Sequence, residues 1–172
     1  MRFALQTEAG LAYRAGAGAF FLAVAVILAA LAFEYIGGYA PCPLCLQERY
    51  AYYAGIPGLF LALVLLVSKR PRLAGVIFVL VALGFAVNTA LGVYHAGVEL
   101  GYWPGPDACA ATIKPLGSGR GGVLNDLANT RVIRCDAAPW HLLGLSFAGW
   151  NAVLSMVLTA AAAAAGARSW RN

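Results

Sequence analysis

The sequence predicts an all-α membrane protein, a four-helix transmembrane bundle with two loops on one side and both termini on the other. Of its 172 residues, 62% are hydrophobic and only 11% are charged, and the mean hydropathy is +0.75. Soluble domains carry about 25% charged residues, so this composition excludes an ordinary soluble fold. Charged interruptions divide the chain into four apolar stretches, each close to the ~20 residues that a helix needs to cross the hydrocarbon core.

The four predicted helices form a single domain over residues 1–172 and cover about residues 15–36, 46–67, 73–94 and 140–165. Within lipid, only helices and closed barrels satisfy every backbone polar group, and stretches of this length fit helices. The first stretch is too long for the apolar region of a cleaved signal, and no clean small-residue cleavage site ends it. We therefore expect the first stretch to remain part of the fold.

Basic residues predict the orientation, because Lys and Arg near the helix ends stay on the cytoplasmic side. They precede the first helix, fill the turn between the second and third, and follow the fourth: Arg2, Arg14, Lys69, Arg70, Arg72, Arg168 and Arg171. Both termini are thus expected in the cytoplasm, with loops of about residues 37–45 and 95–139 on the opposite side. The net charge of +5 reflects this topology. Since no basic stripe accompanies it, we expect no nucleic-acid partner.

All four cysteines, Cys42, Cys45, Cys109 and Cys135, fall in the two loops predicted to be non-cytoplasmic. Free cysteine favours apolar surroundings, so this sorting indicates redox chemistry or structural bridging in an oxidising compartment such as the bacterial periplasm. Four cysteines allow three pairings, of which the simplest joins Cys42 to Cys45 and Cys109 to Cys135. The sequence leaves the resting connectivity open, since a Cys42–Cys135 bridge between the loops would be an intermediate of exchange between the two pairs.

Two plainer interpretations of the cysteines are structural bridges and a metal site. A structural bridge suits the long loop, but a Cys42–Cys45 bridge closes too small a ring to add much stability, so we expect it to serve exchange. Cys-x-x-Cys is also half of a four-cysteine zinc site. The other half is missing, because a long stretch separates Cys109 from Cys135, and we therefore expect no metal.

The short loop places the Cys-x-x-Cys at the start of the second helix, in the segment Pro41-Cys42-Pro43-Leu44-Cys45-Leu46-Gln47-Glu48-Arg49. The positive end of a helix dipole favours thiolate over thiol, and Cys45 is expected to be the better placed of the two. Arg49, four residues on, would share its face one turn deeper, where it would stabilise a thiolate and hydrogen-bond a ligand oxygen at the lipid boundary. The alternative is an ordinary interfacial arginine, paired with Glu48.

This Cys-x-x-Cys with an arginine four residues on, in the first loop of a four-helix protein, resembles the disulfide bond formation protein B (DsbB) family. The likeness covers nearly the whole chain. It includes the second cysteine pair, the Tyr94-His95 step, the Pro104-Gly105-Pro106 segment and the Pro139-Trp140 step. The resemblance implies an enzyme of the bacterial inner membrane, a protein dithiol:quinone oxidoreductase with its cysteines on the periplasmic side.

The resemblance also implies a role for each site residue. A reduced periplasmic thioredoxin-like partner of the DsbA type would attack Cys109, and electrons would pass through Cys135 to the Cys42–Cys45 pair. The cofactor, ubiquinone or menaquinone, would then be bound by Cys45, Arg49 and His95. His95, expected just beyond the third helix, would handle protons.

The long loop must bring the two pairs together, and two of its features fit that task. Its glycine-rich stretch Leu116–Gly122 predicts mobility, although surface loops in general collect glycine. Apolar residues in its second half predict a short amphipathic turn that touches the membrane lipid: Val123, Leu124, Leu127, Val132 and Ile133.

Two other classes of protein compete with this interpretation. The vitamin K epoxide reductase-like family also uses four core helices, two cysteine pairs and quinones, but its quinone-facing Cys-x-x-Cys comes late in the chain, whereas here it opens the second helix. A non-enzymatic membrane scaffold or transporter subunit would carry structural disulfides. Such bridges should resist mild reductant and ignore quinone, whereas those of an oxidase should cycle.

Overall fold

The computed structural model describes residues 2–106, 109, 134–138 and 140–171, with side chains from residue 8 onward. Each of the four long helices in this part of the chain contains a stretch long and apolar enough to cross a membrane. They are α1 Arg2–Tyr35, α2 Pro43–Val67, α3 Pro71–Glu99 and α4 Phe147–Ser169. The predicted all-α membrane protein with four spanning helices is confirmed.

Several helix ends differ from the predicted boundaries. Helix α2 begins at Pro43, so that Cys45 lies in its first turn and not in the loop. Helix α3 continues to Glu99, so that His95 lies inside the helix, and Gly101, whose φ is 74°, follows its end as helix-terminating glycines do. Helix α1 begins at Arg2, well before the predicted start at residue 15.

The fourth helix begins later than predicted because a small hairpin precedes it. Strand β1, His141–Leu142, pairs antiparallel with strand β2, Leu145–Ser146. The two turn residues, Leu143 and Gly144, have φ values of 53° and 82°. Positive φ at both central positions is what a two-residue hairpin turn requires. Ser146 then caps α4 by accepting the backbone N–H of Gly149 at 3.2 Å.

Close packing of small residues holds the bundle together. Helix α4 packs along α3 and α1, and α2 packs against the same two helices. A Cβ added to Gly92 would lie 3.0 Å from the backbone nitrogen of Ala152, so a larger residue there would push α3 and α4 apart by a few tenths of an ångström. Between helices in lipid, such van der Waals contact supplies much of the association.

A group of four polar residues, here called the central polar cluster, crosses the middle of the bundle: Tyr52, Asn88, Asn151 and Ser155. The Tyr52 hydroxyl donates to Asn151 Oδ1 at 2.9 Å, and Asn88 Nδ2 donates to Ser155 Oγ at 2.9 Å and to Asn151 Oδ1 at 3.3 Å. These bonds connect α2, α3 and α4 within otherwise apolar surroundings. Hydrogen bonds of this kind join helices across a membrane bundle.

The two ends of the bundle are built differently. A short turn around Lys69 joins α2 to α3 at one end, whereas the α1–α2 loop, the hairpin and the cysteines lie at the other. We call this second end the cysteine end. The predicted glycine-rich stretch Leu116–Gly122 and the predicted amphipathic turn of residues 123–133 lie outside the described residues.

Candidate functional site

The two cysteine pairs meet at the cysteine end in one buried cluster. Cys109 and Cys135 form a disulfide with Cα atoms 5.4 Å apart, one of the pairings that the sequence allowed. Cys42 is free, and it packs in the same apolar cluster as Cys109 and Cys135, with Cys45 at the edge of that cluster. The sulfurs of Cys42 and Cys45 lie 2.9 Å apart. All four predicted cysteines are thus brought together by the fold.

Cys42 occupies the N-cap position of α2. Its backbone is extended, Pro43 follows at the first helical position, and its Sγ accepts the backbone N–H of Cys45 at 3.2 Å. A cap side chain at the positive end of a helix is a favourable place for negative charge. The expectation that Cys45 is the better placed thiol is therefore wrong, because the helix begins at Pro43 and leaves Cys42 at its N-terminus.

The surroundings of Cys42 favour its thiolate. The pKa of Cys42 is lowered from 9.0 to about 4, and the largest cause is the side-chain hydrogen bond with Cys45. Burial acts in the opposite direction, while hydrogen bonds from His95 and from the backbone of Cys45 lower the pKa further. Because a thiolate is the form that attacks or leaves readily in disulfide exchange, these surroundings favour reactivity at Cys42 in the reduced pair.

His95 lies between a thiol and a carboxyl group. Its Nε2 is 3.5 Å from Cys42 Sγ, and its Nδ1 is 2.9 Å from Glu48 Oε1. His95 is 2% exposed and Glu48 is 6% exposed, so both are shielded from solvent. A carboxylate on one ring nitrogen fixes the orientation and the tautomer of the ring, which keeps the other nitrogen directed at the sulfur.

Sequence reasoning missed the part that Glu48 plays. It considered Glu48 only as a partner of Arg49, yet the structure pairs Arg49 with Glu34 of α1. A signal was present, since an acidic residue three positions after Cys45 on a membrane-length helix is costly and usually serves a function. The Arg49–Glu34 salt bridge joins α2 to α1, with the two side chains 12% and 21% exposed.

A cavity of about 690 Å³ opens beside the free cysteine pair. Helices α1, α2 and α4 supply most of its wall, which is mainly apolar, and the functional groups gather at one end: Cys42, Cys45, Glu48, Arg49, His95 and Cys135. Sites for small organic molecules typically have volumes of about 300–1,000 Å³ and a few polar groups on an apolar lining. The cavity has both properties.

Four aromatic rings, here called the aromatic wall, line one side of this cavity: Phe33, Tyr39, Trp140 and Phe147. Trp140 and Phe147 are stacked with centroids 4.7 Å apart, and Phe33 lies edge-on to Phe147 at 4.9 Å. The sequence gives no local pattern for this wall, because its members come from α1, the first loop, the segment before the hairpin and α4. Stacked rings offer a flat apolar surface to a ligand.

The fold and the site define a class of protein, a multi-pass membrane protein with two cysteine pairs beside an apolar cavity. A family model described as "Disulfide bond formation protein DsbB" matches residues 14–165. The chain therefore belongs to the DsbB family, as its motifs predicted.

Two relatives extend this comparison. "Disulfide bond formation protein B" of Nitrosococcus oceani is 30% identical over 147 residues, which cover 81% of this chain and 82% of the relative. "Uncharacterized protein RP370" of Rickettsia prowazekii is 27% identical over 126 residues, which cover 73% of this chain and 70% of the relative. No solved structure gives a significant match.

Proposed function

We propose that the protein is a protein dithiol:quinone oxidoreductase of the bacterial inner membrane. It would reoxidise a periplasmic thioredoxin-like dithiol protein of the DsbA type and deliver the electrons to a membrane quinone. The observation that carries this proposal is the packing of both cysteine pairs in one cluster beside a mainly apolar cavity, which Cys42, Cys45 and Cys135 line. Membership of the DsbB family supports it.

The first exchange takes place at the Cys109–Cys135 disulfide. A partner thiolate attacks Cys109 and releases Cys135 as a thiolate, giving a mixed disulfide. The second thiolate of the partner then attacks the partner sulfur that is bonded to Cys109. This step forms a disulfide within the partner and releases Cys109. Two electrons and two protons have then moved from the partner to Cys109 and Cys135.

The second exchange passes the electrons to the first pair, taken in its oxidised state. Cys135 attacks Cys42, breaking the Cys42–Cys45 bond and releasing Cys45. Cys109 then attacks Cys135, re-forming their disulfide and releasing Cys42. The packing of Cys42 with Cys109 and Cys135 in one cluster supports both steps. The lowered pKa of Cys42 supports the last one, because a thiol of low pKa leaves faster.

The residues of the cavity fit a quinone. When bound there, ubiquinone or menaquinone would accept two electrons and two protons and leave as quinol. The aromatic wall and the apolar lining would hold the ring, and Arg49 would donate a hydrogen bond to a ring oxygen where negative charge develops. His95 would exchange a proton with the sulfur of Cys42, while Glu48 keeps the imidazole in place.

The charge distribution supports the proposed orientation. Lys69, Arg70 and Arg72 lie at the turn between α2 and α3, at the end opposite the cysteines. The basic end is expected in the cytoplasm. The cysteines would then face the periplasm, where disulfides persist.

Turnover of the purified full chain in detergent tests the proposal. We expect a reduced DsbA-type dithiol to cause loss of the absorbance of a soluble ubiquinone analogue, and we expect Cys45→Ser to abolish this loss. Arg49→Gln should slow it severely, whereas Arg70→Gln, a matched loss of charge at the opposite end, should not. Full activity of Cys45→Ser would contradict the proposal. Failure of the wild type with intact disulfides would instead favour structural bridges.

A further inference from the structure

We propose that the reduced Cys42–Cys45 pair and His95 form a binding site for a thiophilic divalent cation, with Zn²⁺ as the expected ion. The site is available only while the pair is reduced, because oxidation to a disulfide removes both thiolate ligands. This inference goes beyond the proposed oxidase activity, since it requires neither a quinone nor a partner protein.

The three donor atoms already lie around a common point. The two sulfurs and the ring nitrogen fall within 4.8 Å of one another, and Cys42 Sγ is 3.5 Å from His95 Nε2. Bonds of about 2.3 Å to sulfur and about 2.0 Å to nitrogen in a tetrahedron place ligand atoms roughly 3.5–3.8 Å apart. The sulfur–nitrogen separation fits directly. The sulfurs, now 2.9 Å apart, need to separate by less than about 1 Å.

The second ring nitrogen of His95 has the partner that metal-bound histidines usually have. Its Nδ1 is 2.9 Å from Glu48 Oε1, which leaves Nε2 directed at Cys42. Such carboxylate–histidine–zinc arrangements fix the ring and increase its strength as a ligand. Glu48, at 6% exposure, thus supports a metal ligand without binding the ion itself.

The charges and the open side also suit the ion. Two thiolates and a neutral imidazole bind Zn²⁺ as a neutral unit, which a site beside an apolar cavity tolerates better than a bare charge. All three ligands line the cavity, so the fourth coordination position is open to a water molecule. Binding forms Zn–S bonds, releases any remaining thiol proton to solvent and changes no oxidation state.

Sequence reasoning looked for metal ligands among the cysteines only and found half a site. The missing ligand is a histidine that is 53 positions away along the chain from Cys42 and reaches the pair through the packing of α3 against α2. Occupation by zinc would engage both thiolates and stop electron transfer from the pair until the ion leaves.

Metal uptake by the full chain in detergent tests this site. The protein is reduced with a phosphine, equilibrated with Zn²⁺, desalted and assayed for zinc by elemental analysis, while Co²⁺ reports thiolate coordination through its absorption spectrum. We expect each reduced chain to bind one zinc ion through Cys42 and Cys45. This zinc should be absent from the oxidised protein and from Cys45→Ser. His95→Asn should weaken binding by about tenfold or more and alter the Co²⁺ spectrum, and Glu48→Gln should weaken it by about tenfold.

The chain offers a matched control, because its second histidine, His141, lies exposed on β1. His141→Asn should bind zinc as the wild type does. Equal zinc uptake by the oxidised and reduced proteins would overturn the proposal, as would equal affinities and Co²⁺ spectra for His95→Asn and His141→Asn. Because neither quinone nor dithiol partner is present, failure here leaves the oxidase proposal intact, and failure of the turnover assay leaves this one intact.

Discussion

Two polar clusters are buried in this bundle, and they differ in what their members can do. The central polar cluster joins Asn88, Ser155 and their neighbours through hydrogen bonds between neutral amides and hydroxyls. The second, here called the thiol cluster, consists of Cys42, Cys45, Glu48 and His95, all of which can gain or lose a proton. Buried polar groups within a membrane can join helices or take part in reactions. The neutral groups of the central polar cluster suit the first purpose, and the ionisable groups of the thiol cluster suit the second.

The two clusters also differ in how they are enclosed. Tyr52 and Asn151 of the central polar cluster reach the cavity wall, whereas Asn88 and Ser155, at 3% and 0% exposure, do not. Every member of the thiol cluster lines the cavity, and Cys42 also packs against the Cys109–Cys135 disulfide. A ligand or a second disulfide can therefore reach every member of the thiol cluster, whereas the side-chain hydrogen bonds of Asn88 and Ser155 stay within the central polar cluster. We therefore expect substitutions in the thiol cluster to change turnover and substitutions of Asn88 or Ser155 to change stability.

Removal of one sulfur should have the largest effect. In Cys42→Ser, the hydroxyl retains the N-cap acceptor of α2, so the fold should persist while exchange becomes impossible. We expect turnover with dithiol and quinone to fall to the uncatalysed background while the protein remains folded. Ser155→Ala, the matched loss of one acceptor from the central polar cluster, should keep its turnover. Measurable catalysis by Cys42→Ser would show that the thiol cluster is not the reaction centre.

Loss of the carboxylate behind His95 should have the next largest effect. Glu48→Gln keeps the size of the side chain but removes the charge that holds the ring, so we expect turnover to fall by roughly 10- to 100-fold. The pH profile of kcat should move as well, which a purely structural substitution would not cause. Gln47→Ala, on the exposed neighbouring residue, is the control. An unchanged pH profile in Glu48→Gln would assign Glu48 to packing alone.

The acidity of Cys42 predicts a pH-dependent reactivity that is confined to the thiol cluster. Because its pKa is lowered to about 4, the reduced protein should be alkylated at Cys42 at nearly constant rate from pH 8 to about pH 6, with the rate falling only near pH 4. Mass spectrometry of the alkylated peptide measures this rate. A midpoint near the ordinary value of 9.0 would show that Cys45 and His95 do not stabilise the thiolate.

The same shift predicts how the stability of the reduced protein depends on pH. A group whose pKa is lower in the folded state contributes stability above its unfolded pKa and loses it as pH falls through the folded value. The stability that reduced wild type has in excess of Cys42→Ser should therefore be greatest above pH 9 and decline towards pH 4. Thermal unfolding of both proteins across that range measures the difference. A constant difference would contradict the lowered pKa.

The sequence predicted the helices well because membrane spans depend on length and composition, which a single chain displays. It also predicted that all four cysteines lie at one end of the bundle, as the structure has them, while the predicted roles of Arg49, from its spacing to Cys45, and of His95, from the family resemblance, stay predictions. What it missed depends on contacts between distant segments. How the helices pack decides which distant residues meet. It pairs Glu48 with His95 and Arg49 with Glu34, and it brings the four aromatic rings together. The hairpin escaped notice because its two-residue strands are too short to show periodicity.

The smallest effect is expected in the central polar cluster, where Asn88→Leu removes two hydrogen bonds without stranding their partners. Asn151 Oδ1 keeps the hydroxyl of Tyr52, and Ser155 keeps its contacts with Tyr52 and Asn151, so no acceptor is left bare. Interhelical hydrogen bonds in membranes contribute about 0.6 kcal/mol on average and about 1.7 kcal/mol at most. We expect unfolding in mixed micelles to show a loss within about that range, with turnover preserved. A large loss of turnover with unchanged stability would mean that the central polar cluster takes part in the chemistry, and the distinction between the two clusters would then fail.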